Sequence, residues 1–196
     1  MRLTLVLAMI AAPALAQGTI VVSPIYSQLV AIPVPGGYTA GFEREQGGAY
    51  ILELVPSGEK VENWTQLITV TGGRGTANQV SVTDMASNLA AGFQAACPTS
   101  FVVHKLAPPK VQGAEAVFAG YLGCGTVNGQ SEAMVFVVLQ GKSDLYTLQW
   151  AAHGPAVDHP VEPDATIWRP RADALGLARL CDKVAGEQPP YPSCTQ

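Results

Sequence analysis

Five residues that could bind a metal ion, or act as acid and base, lie within one short segment of the chain: His153, Asp158, His159, Glu162 and Asp164. Imidazole and carboxylate groups are common ligands of divalent metal ions. Their spacing does not fix two ligands on one face of a helix, as the HExxH motif does, and prolines interrupt the segment. A solvated loop is therefore the favoured interpretation. The alternative hypothesis is a small secreted hydrolase or metal-binding protein that uses His153 and His159.

The run Gly72-Gly73-Arg74-Gly75 could bind an anion through its backbone N–H groups and its guanidinium. It lacks the Lys-Ser/Thr pair of a phosphate-binding loop and does not lead directly into a helix, so a flexible turn is favoured. The chain has no GxSxG motif, and its four cysteines have a structural use. We therefore assign no catalytic residue, no metal ligand and no cofactor.

Glu59 and Trp64 are the candidates for contact with a partner. In the functional interpretation they belong to a recognition loop, with Trp64 as an aromatic anchor. In the structural interpretation Trp64 covers the edge of the core and Glu59 caps a local turn. Large aromatic side chains beside Gly/Pro turns usually pack against the protein, which favours the structural interpretation.

Export is predicted by the first sixteen residues. Arg2 gives a positive start, Leu3–Ala12 is nearly all apolar, and Ala14-Leu15-Ala16 is a typical cleavage site. This pattern predicts a signal peptide over 1–16 and a periplasmic or secreted protein. The residue after the predicted cut is Gln17 and not Cys, which argues against a lipid anchor, and no later stretch is long enough to span a bilayer.

Four cysteines in an exported chain predict two disulfides, for which the sequence allows three connectivities. Cys97 ends the apolar stripe of a predicted helix, and Cys124 ends a strand that this helix should cover. Cys181 closes a predicted helix, and Cys194 lies in a proline-rich tail. We expect the pairs Cys97–Cys124 and Cys181–Cys194; the nested and crossed pairings stay open but need a longer reach.

The charge balance argues against two classes of partner. Without Arg2, ten basic and fifteen acidic side chains remain, and no block of Lys or Arg stands out. Nucleic acids and anionic membrane surfaces are therefore poor candidates. An unknown protein or a small ligand is the expected partner.

The central element is predicted between Glu132 and Ala151, where two apolar runs flank the polar turn Gly141-Lys142-Ser143-Asp144. Residues 133–139 are all apolar, which predicts a strand that is covered on both faces. In the second run, alternate residues are apolar, which is typical of a strand with two different faces. The rest of the chain should cover this hairpin.

Other strands are predicted at 38–45, 49–55, 64–71, 101–106 and 114–122, with a break at Gly123-Cys124-Gly125. The clearest helix begins at Ser81 or Thr83, carries a stripe of Met85, Leu89, Phe93 and Cys97, and ends before Pro98. A last helix is predicted over 171–181. We expect an irregular lead-in over 17–37, a single α+β domain over 38–185 and a disulfide-pinned coil over 186–196.

Several segments together resemble a group of uncharacterised secreted bacterial proteins. They are VPSGEKVENWTQLITV (Val55–Val70), the helix that ends in Cys97, the strand pair FVVLQGKSDLYTLQWA and the late Cys181-Asp182. The order of elements is similar to the PsbP-like α/β/α sandwich, a mainly antiparallel sheet flanked by helices. The resemblance implies a fold whose known members mostly bind other proteins and carry no catalytic residues. Together with the export signal and the disulfides, it favours a non-catalytic exported protein that binds a partner protein or small ligand in the cell envelope. It transfers no site.

Overall fold

The computed structural model describes residues 18–195, so the predicted signal peptide over 1–16 lies outside the described residues. The strands are β1 (Thr19–Ile25), β2 (Gln28–Val34), β3 (Tyr38–Gln46), β4 (Ala49–Pro56), β5 (Gln66–Gly73), β6 (Phe101–Leu106), β7 (Ala116–Val127), β8 (Gln130–Gln140), β9 (Leu145–Pro155) and β10 (Arg179–Asp182). The helices are α1 (Val82–Ala96), α2 (Ala165–Gly176) and α3 (Pro192–Thr195). None of these helices is long and apolar enough to cross a membrane.

The predicted central hairpin is confirmed. Seven strands form one sheet in the order β3-β4-β5-β9-β8-β7-β6, in which β9 is the middle strand and β8 lies beside it. All neighbouring pairs in this sheet are antiparallel. Residues 133–139 of β8 are buried on both faces, as their unbroken apolar sequence predicts. The α+β class, a mainly antiparallel sheet with helices on its faces, is also confirmed.

Two different layers cover the sheet. The hairpin face is the side on which Leu52, Ile68 and Leu148 point, and it packs against β1, β2 and α2. The helix face is the opposite side, where Met134, Phe136 and Val138 pack against α1. Helix α1 contacts β6, β7 and β8, so it leaves the β3–β5 half of the helix face without a helical cover.

The predicted irregular lead-in over 17–37 is wrong. Strands β1 and β2 form an antiparallel hairpin there, and β10 pairs with the other side of β2 in a three-stranded sheet. The prolines of this segment suggest coil, but Pro24 and Pro33 occupy positions that a sheet tolerates. Pro24 lies on the edge strand β1, and Pro33 lies beyond the last residue of β2 that pairs with β10.

Strand β7 also runs further than predicted and continues through Gly123-Cys124-Gly125. The glycines allow another segment to approach the strand closely. A Cβ at Gly123 would meet the carbonyl oxygen of Val161, and one at Gly125 would meet that of His159. These glycines therefore let the 157–161 loop pack on the sheet and do not break the strand.

Helix α1 has the predicted start at Ser81, whose side chain accepts a hydrogen bond from the Asp84 N–H at 3.1 Å. Its predicted inward stripe is only partly buried. Ala86 is the buried residue of the helix, whereas Met85, Leu89 and Phe93 are half-buried. The stripe therefore borders the uncovered half of the helix face.

The predicted helix over 171–181 is displaced. Helix α2 begins after Asp164, whose carboxylate accepts from the Thr166 N–H at 2.8 Å, and ends at Gly176. Residues 179–182 form β10 instead, because Leu180 is buried beside β2. The tail is coil apart from the short helix α3, and Cys194 pins it to β10.

The structure pairs Cys97 with Cys124 and Cys181 with Cys194, as the sequence predicts. The two pairs close loops of 27 and 13 residues. On the chain-entropy model these loops correspond to roughly 3.5 and roughly 3 kcal/mol at most.

We expect replacement of Cys97 and Cys124 by serine to lower the free energy of unfolding more than the same change at Cys181 and Cys194. The first disulfide joins α1 to the large sheet, whereas the second mainly orders the tail. Urea denaturation of the two double variants measures the difference. Equal losses, or a larger loss for the tail pair, would contradict this ranking.

Candidate functional site

The two histidines of the candidate metal segment have different surroundings. His153 is half-buried on β9; its ring stacks on Trp64 with the centroids 3.6 Å apart. Its Nδ1 lies 3.0 Å from the Trp64 carbonyl oxygen and its Nε2 lies 3.4 Å from Glu132. His159 is exposed and contacts Asp158. Both nitrogens of His153 therefore have partners within the protein.

The remaining acidic residues of that segment are also used separately. Glu162 contacts Nε2 of His104 at 2.7 Å, and Asp164 caps α2. Across residues 18–195 the structure brings no three His, Cys, Asp or Glu side chains together as metal ligands. Within the described residues, His153 and His159 therefore do not belong to one metal cluster, and the hydrolase alternative stays a prediction.

Glu59 and Trp64 have local structural contacts. The Glu59 carboxylate accepts from the N–H of Thr65 at 2.6 Å and from its hydroxyl at 2.7 Å. These two hydrogen bonds hold the pKa of Glu59 below its usual value. Trp64 packs against His153 and the helix-face core. A role for either residue in partner binding stays a prediction.

The candidate anion-binding turn is used inside the protein. The N–H of Gly75 donates to Asp144 Oδ1 at 2.7 Å. The other oxygen of this carboxylate accepts from the backbone N–H of Ser27 at 3.0 Å, from the Ser27 hydroxyl and from Tyr146. Asp144 is 2% exposed. Its carboxylate therefore connects the β1–β2 turn, the turn after β5 and the start of β9.

Burial opposes the ionisation of Asp144, but the hydrogen bonds from Ser27, Gly75 and Tyr146 outweigh it and hold its pKa below the usual value. Next to it, the N–H of Lys142 donates to the buried side chain of Gln28 at 3.0 Å. We call these contacts the Asp144 junction. Every oxygen of its carboxylate is satisfied by the protein, so the junction is a structural site.

A second polar cluster fastens α2 to the large sheet. Gln66 Oε1 accepts hydrogen bonds from Tyr38, Trp150 and Arg171 at 3.0–3.2 Å. The guanidinium of Arg171 also lies 4.5 Å from the centre of the Trp168 ring. Its second terminal nitrogen is buried without a hydrogen-bond partner. Because that nitrogen is sealed from solvent, the cluster offers no open position to a ligand.

Part of the helix face that α1 does not contact is open to solvent. The strand register places two rows of side chains across it. The first row is Phe42, Glu53, Thr69, Gln149 and Phe136; the second is Arg44, Ile51, Thr71, Thr147 and Val138. Residues directly opposite one another on neighbouring strands share one face. The middle of each row is therefore polar, and the β8 end of each row is part of the core.

A groove of about 550 Å³ lies over the second row. Its floor is formed by Ile51, Thr71 and Thr147, and Met85 of α1 forms one wall. Arg44 lines it on the side of the edge strand β3. The hydroxyls of Thr71 and Thr147 are 2.7 Å apart, so one donates a hydrogen bond to the other. The groove therefore combines apolar side chains with a few fixed polar groups, which is typical of sites for small ligands.

Glu53 lies beside this groove, two residues from Ile51 on the same face of β4, and it differs from the other acidic groups discussed above. It is half-buried, and its carboxylate makes no hydrogen bond or ion pair within the described range 18–195. Burial raises its pKa above the usual value, and no cation counteracts this effect. Sequence reasoning missed Glu53 because it lies within the apolar run ILELV, which predicts only a strand.

No family model and no curated protein matches the chain. Among solved structures it is similar to LpqN of Mycobacterium tuberculosis, which is involved in cell envelope biogenesis. The identity is 13%, the TM-score is 0.48, and the match covers 84% of this chain and 91% of that one.

The chain is also similar to cyanobacterial PsbP (CyanoP) of Synechocystis, with 10% identity, a TM-score of 0.44 and coverage of 86% and 95%. A protein of Bacteroides thetaiotaomicron gives 11% identity and a TM-score of 0.43, with 88% of this chain and 51% of that one. These likenesses concern the fold and assign no site.

Proposed function

We propose that this chain is an exported, non-catalytic protein of the cell envelope that binds a small organic ligand in the groove between α1 and β3–β5. The observation that supports the proposal is the half of the helix face that α1 leaves uncovered. There, Met85 and Ile51 are half-buried at a groove of about 550 Å³. This volume is within the usual range for ligand pockets.

The character of the groove favours binding over chemistry. Its floor carries two threonine hydroxyls that are hydrogen-bonded to each other, and its walls include apolar side chains such as Met85 together with Arg44 and Gln46. Such a surface provides shape and a few hydrogen-bonding groups, which is what a ligand site requires.

A neutral fluorescent dye, N-phenylnaphthylamine, provides a test. We expect saturable fluorescence enhancement with the native protein. Met85→Trp should fill the groove and weaken dye binding at least about tenfold, since a bulky group excludes ligand from a fitted site. Asn88→Trp is the matched control, because Asn88 is exposed on the same helix. Equal binding by the native protein and both variants would rule out this groove as the site.

Export is the second part of the proposal, supported by the apolar segment at 3–12 and by the two disulfides, which are typical of oxidising compartments. We expect the protein recovered from periplasm or medium to begin at Gln17. Intact-mass measurement checks this result. Recovery of only full-length protein from the cytosol would refute it.

A further inference from the structure

Glu53 gives the groove a charge preference. Its carboxylate lies in the first row of side chains, one position away from the groove floor at Ile51 on the same strand face. A half-buried carboxylate without a partner is less favourable than one that is exposed or paired. A ligand that supplies a positive charge there would gain more than a neutral ligand of the same shape.

The neighbours of Glu53 are also hydrogen-bond acceptors. Thr69 is directly opposite Glu53 on β5, and Gln149 is opposite Thr69 on β9. The amide nitrogen of Gln149 donates to Thr147 at 3.0 Å, which leaves its carbonyl oxygen as an acceptor. An ammonium group has three donors and no acceptor, so its chemistry matches this row.

Arg44 lies on the same face in the second row, and it makes no ion pair with Glu53. It is opposite Ile51 in the second row and donates to Gln46 on its own strand. Arg44 is exposed, so water solvates its charge and an anionic ligand would gain little by pairing with it. The half-buried Glu53 carboxylate therefore determines which ligand charge is favoured.

We propose that the groove binds an amphiphile that carries a primary ammonium group, with its apolar chain along Ile51 and Met85 and its ammonium on Glu53. This inference rests on the proposed ligand-binding function and adds the chemical class of the ligand. Its occupant is a small cationic amphiphile and not a second copy of the chain or an anionic lipid.

Three probes with the same ten-carbon chain test the inference: decylamine, decanol and decanoate. Each is used to displace N-phenylnaphthylamine from the native protein. We expect decylamine to displace the dye at a concentration about tenfold lower than decanol or decanoate, because a charge-assisted hydrogen bond to Glu53 would strengthen its binding by about that factor.

The variant Glu53→Gln should remove this preference and leave competition by decanol unchanged. Glu43→Gln is the matched control, because Glu43 lies on the neighbouring strand with its side chain bonded to Tyr50 on the hairpin face. It makes the same change in net charge and should keep the preference. Thermal melts establish that both variants are folded, and the comparison of the three probes on the native protein does not depend on any variant.

Each outcome decides one of the two proposals. The inference is supported if the native protein and Glu43→Gln both prefer decylamine and Glu53→Gln does not. Equal competition by the three probes, or a preference that survives in Glu53→Gln, overturns the inference and leaves groove binding intact. Failure of the dye and of all three probes to bind overturns the proposed function itself.

Discussion

Replacement of Asp144 by alanine should lower the free energy of unfolding by about 3–5 kcal/mol, the range found when one partner of a buried charged network is removed. The carboxylate accepts from Ser27, Gly75 and Tyr146, so the backbone N–H groups of Ser27 and Gly75 lose this acceptor in the variant, whereas Tyr146 keeps its contact with the Ile25 carbonyl oxygen at 3.2 Å. Asp144 is 2% exposed, so water cannot replace the lost contacts without local opening. Urea denaturation monitored by fluorescence measures the loss.

Asp182→Ala is the control for this variant. Asp182 pairs with Lys142 at 2.7 Å, but the two side chains are 68% and 61% exposed. Exposed ion pairs of this kind contribute about 0–1 kcal/mol, so this variant should stay close to the native protein. Similar losses of unfolding free energy in the two variants would mean that the Asp144 junction does not hold the β1–β2 hairpin to the large sheet.

The same junction predicts a loss of stability in acid. The pKa of Asp144 in the folded protein is below its usual value. The stabilisation that ionised Asp144 provides is therefore fully present at pH values above the usual pKa range of aspartate. That contribution is lost as the pH falls through the usual pKa towards the lowered one, because the unfolded state binds the proton more readily. The difference in unfolding free energy between the native protein and Asp144→Asn should shrink over this range. A difference that stays constant with pH would contradict the linkage.

The sequence predicts the elements of the large sheet well because their signals are local. The polar turn at 141–144 between two apolar runs predicts β8 and β9, and the Ser81 cap predicts the start of α1. Segments 19–34 and 179–182 were harder to predict. Prolines suggest coil in the first segment and an apolar helical pattern extends over most of the second, and both become strands because they pair with each other across most of the chain.

The candidate groove could not be predicted for a similar reason. Alternation does place Thr147 and Gln149 on one face of β9, and it places Thr69 and Thr71 on one face of β5. That these faces coincide depends on β5 pairing with β9, although some seventy residues separate them in the sequence. The importance of Asp144 depends in the same way on Ser27, which lies in the hairpin that the sequence did not predict.

Phe136→Ala should also cost about 3–5 kcal/mol, the usual loss when a fully buried phenylalanine is truncated. Phe136 is 1% exposed on β8, and its ring lies against Phe118 with the centroids 6.0 Å apart. Opposite it, Gly120 provides the space for the ring, since a Cβ there would lie 2.6 Å from two ring carbons. The neighbouring strand is thus fitted to this ring, and truncation leaves a cavity between the sheet and α1.

The control for Phe136 is Lys142→Ala, in the turn of the same hairpin. The Lys142 side chain is exposed and makes only the surface contact with Asp182, so its loss should be within about 0.5 kcal/mol. Denaturation curves of the two variants, fitted with the same dependence of unfolding free energy on denaturant concentration, give the difference in their stability. If both changes cost little, the β8–β9 hairpin does not form the core. If Phe136→Ala alone unfolds readily, the side chains packed between β8 and α1 stabilise the fold.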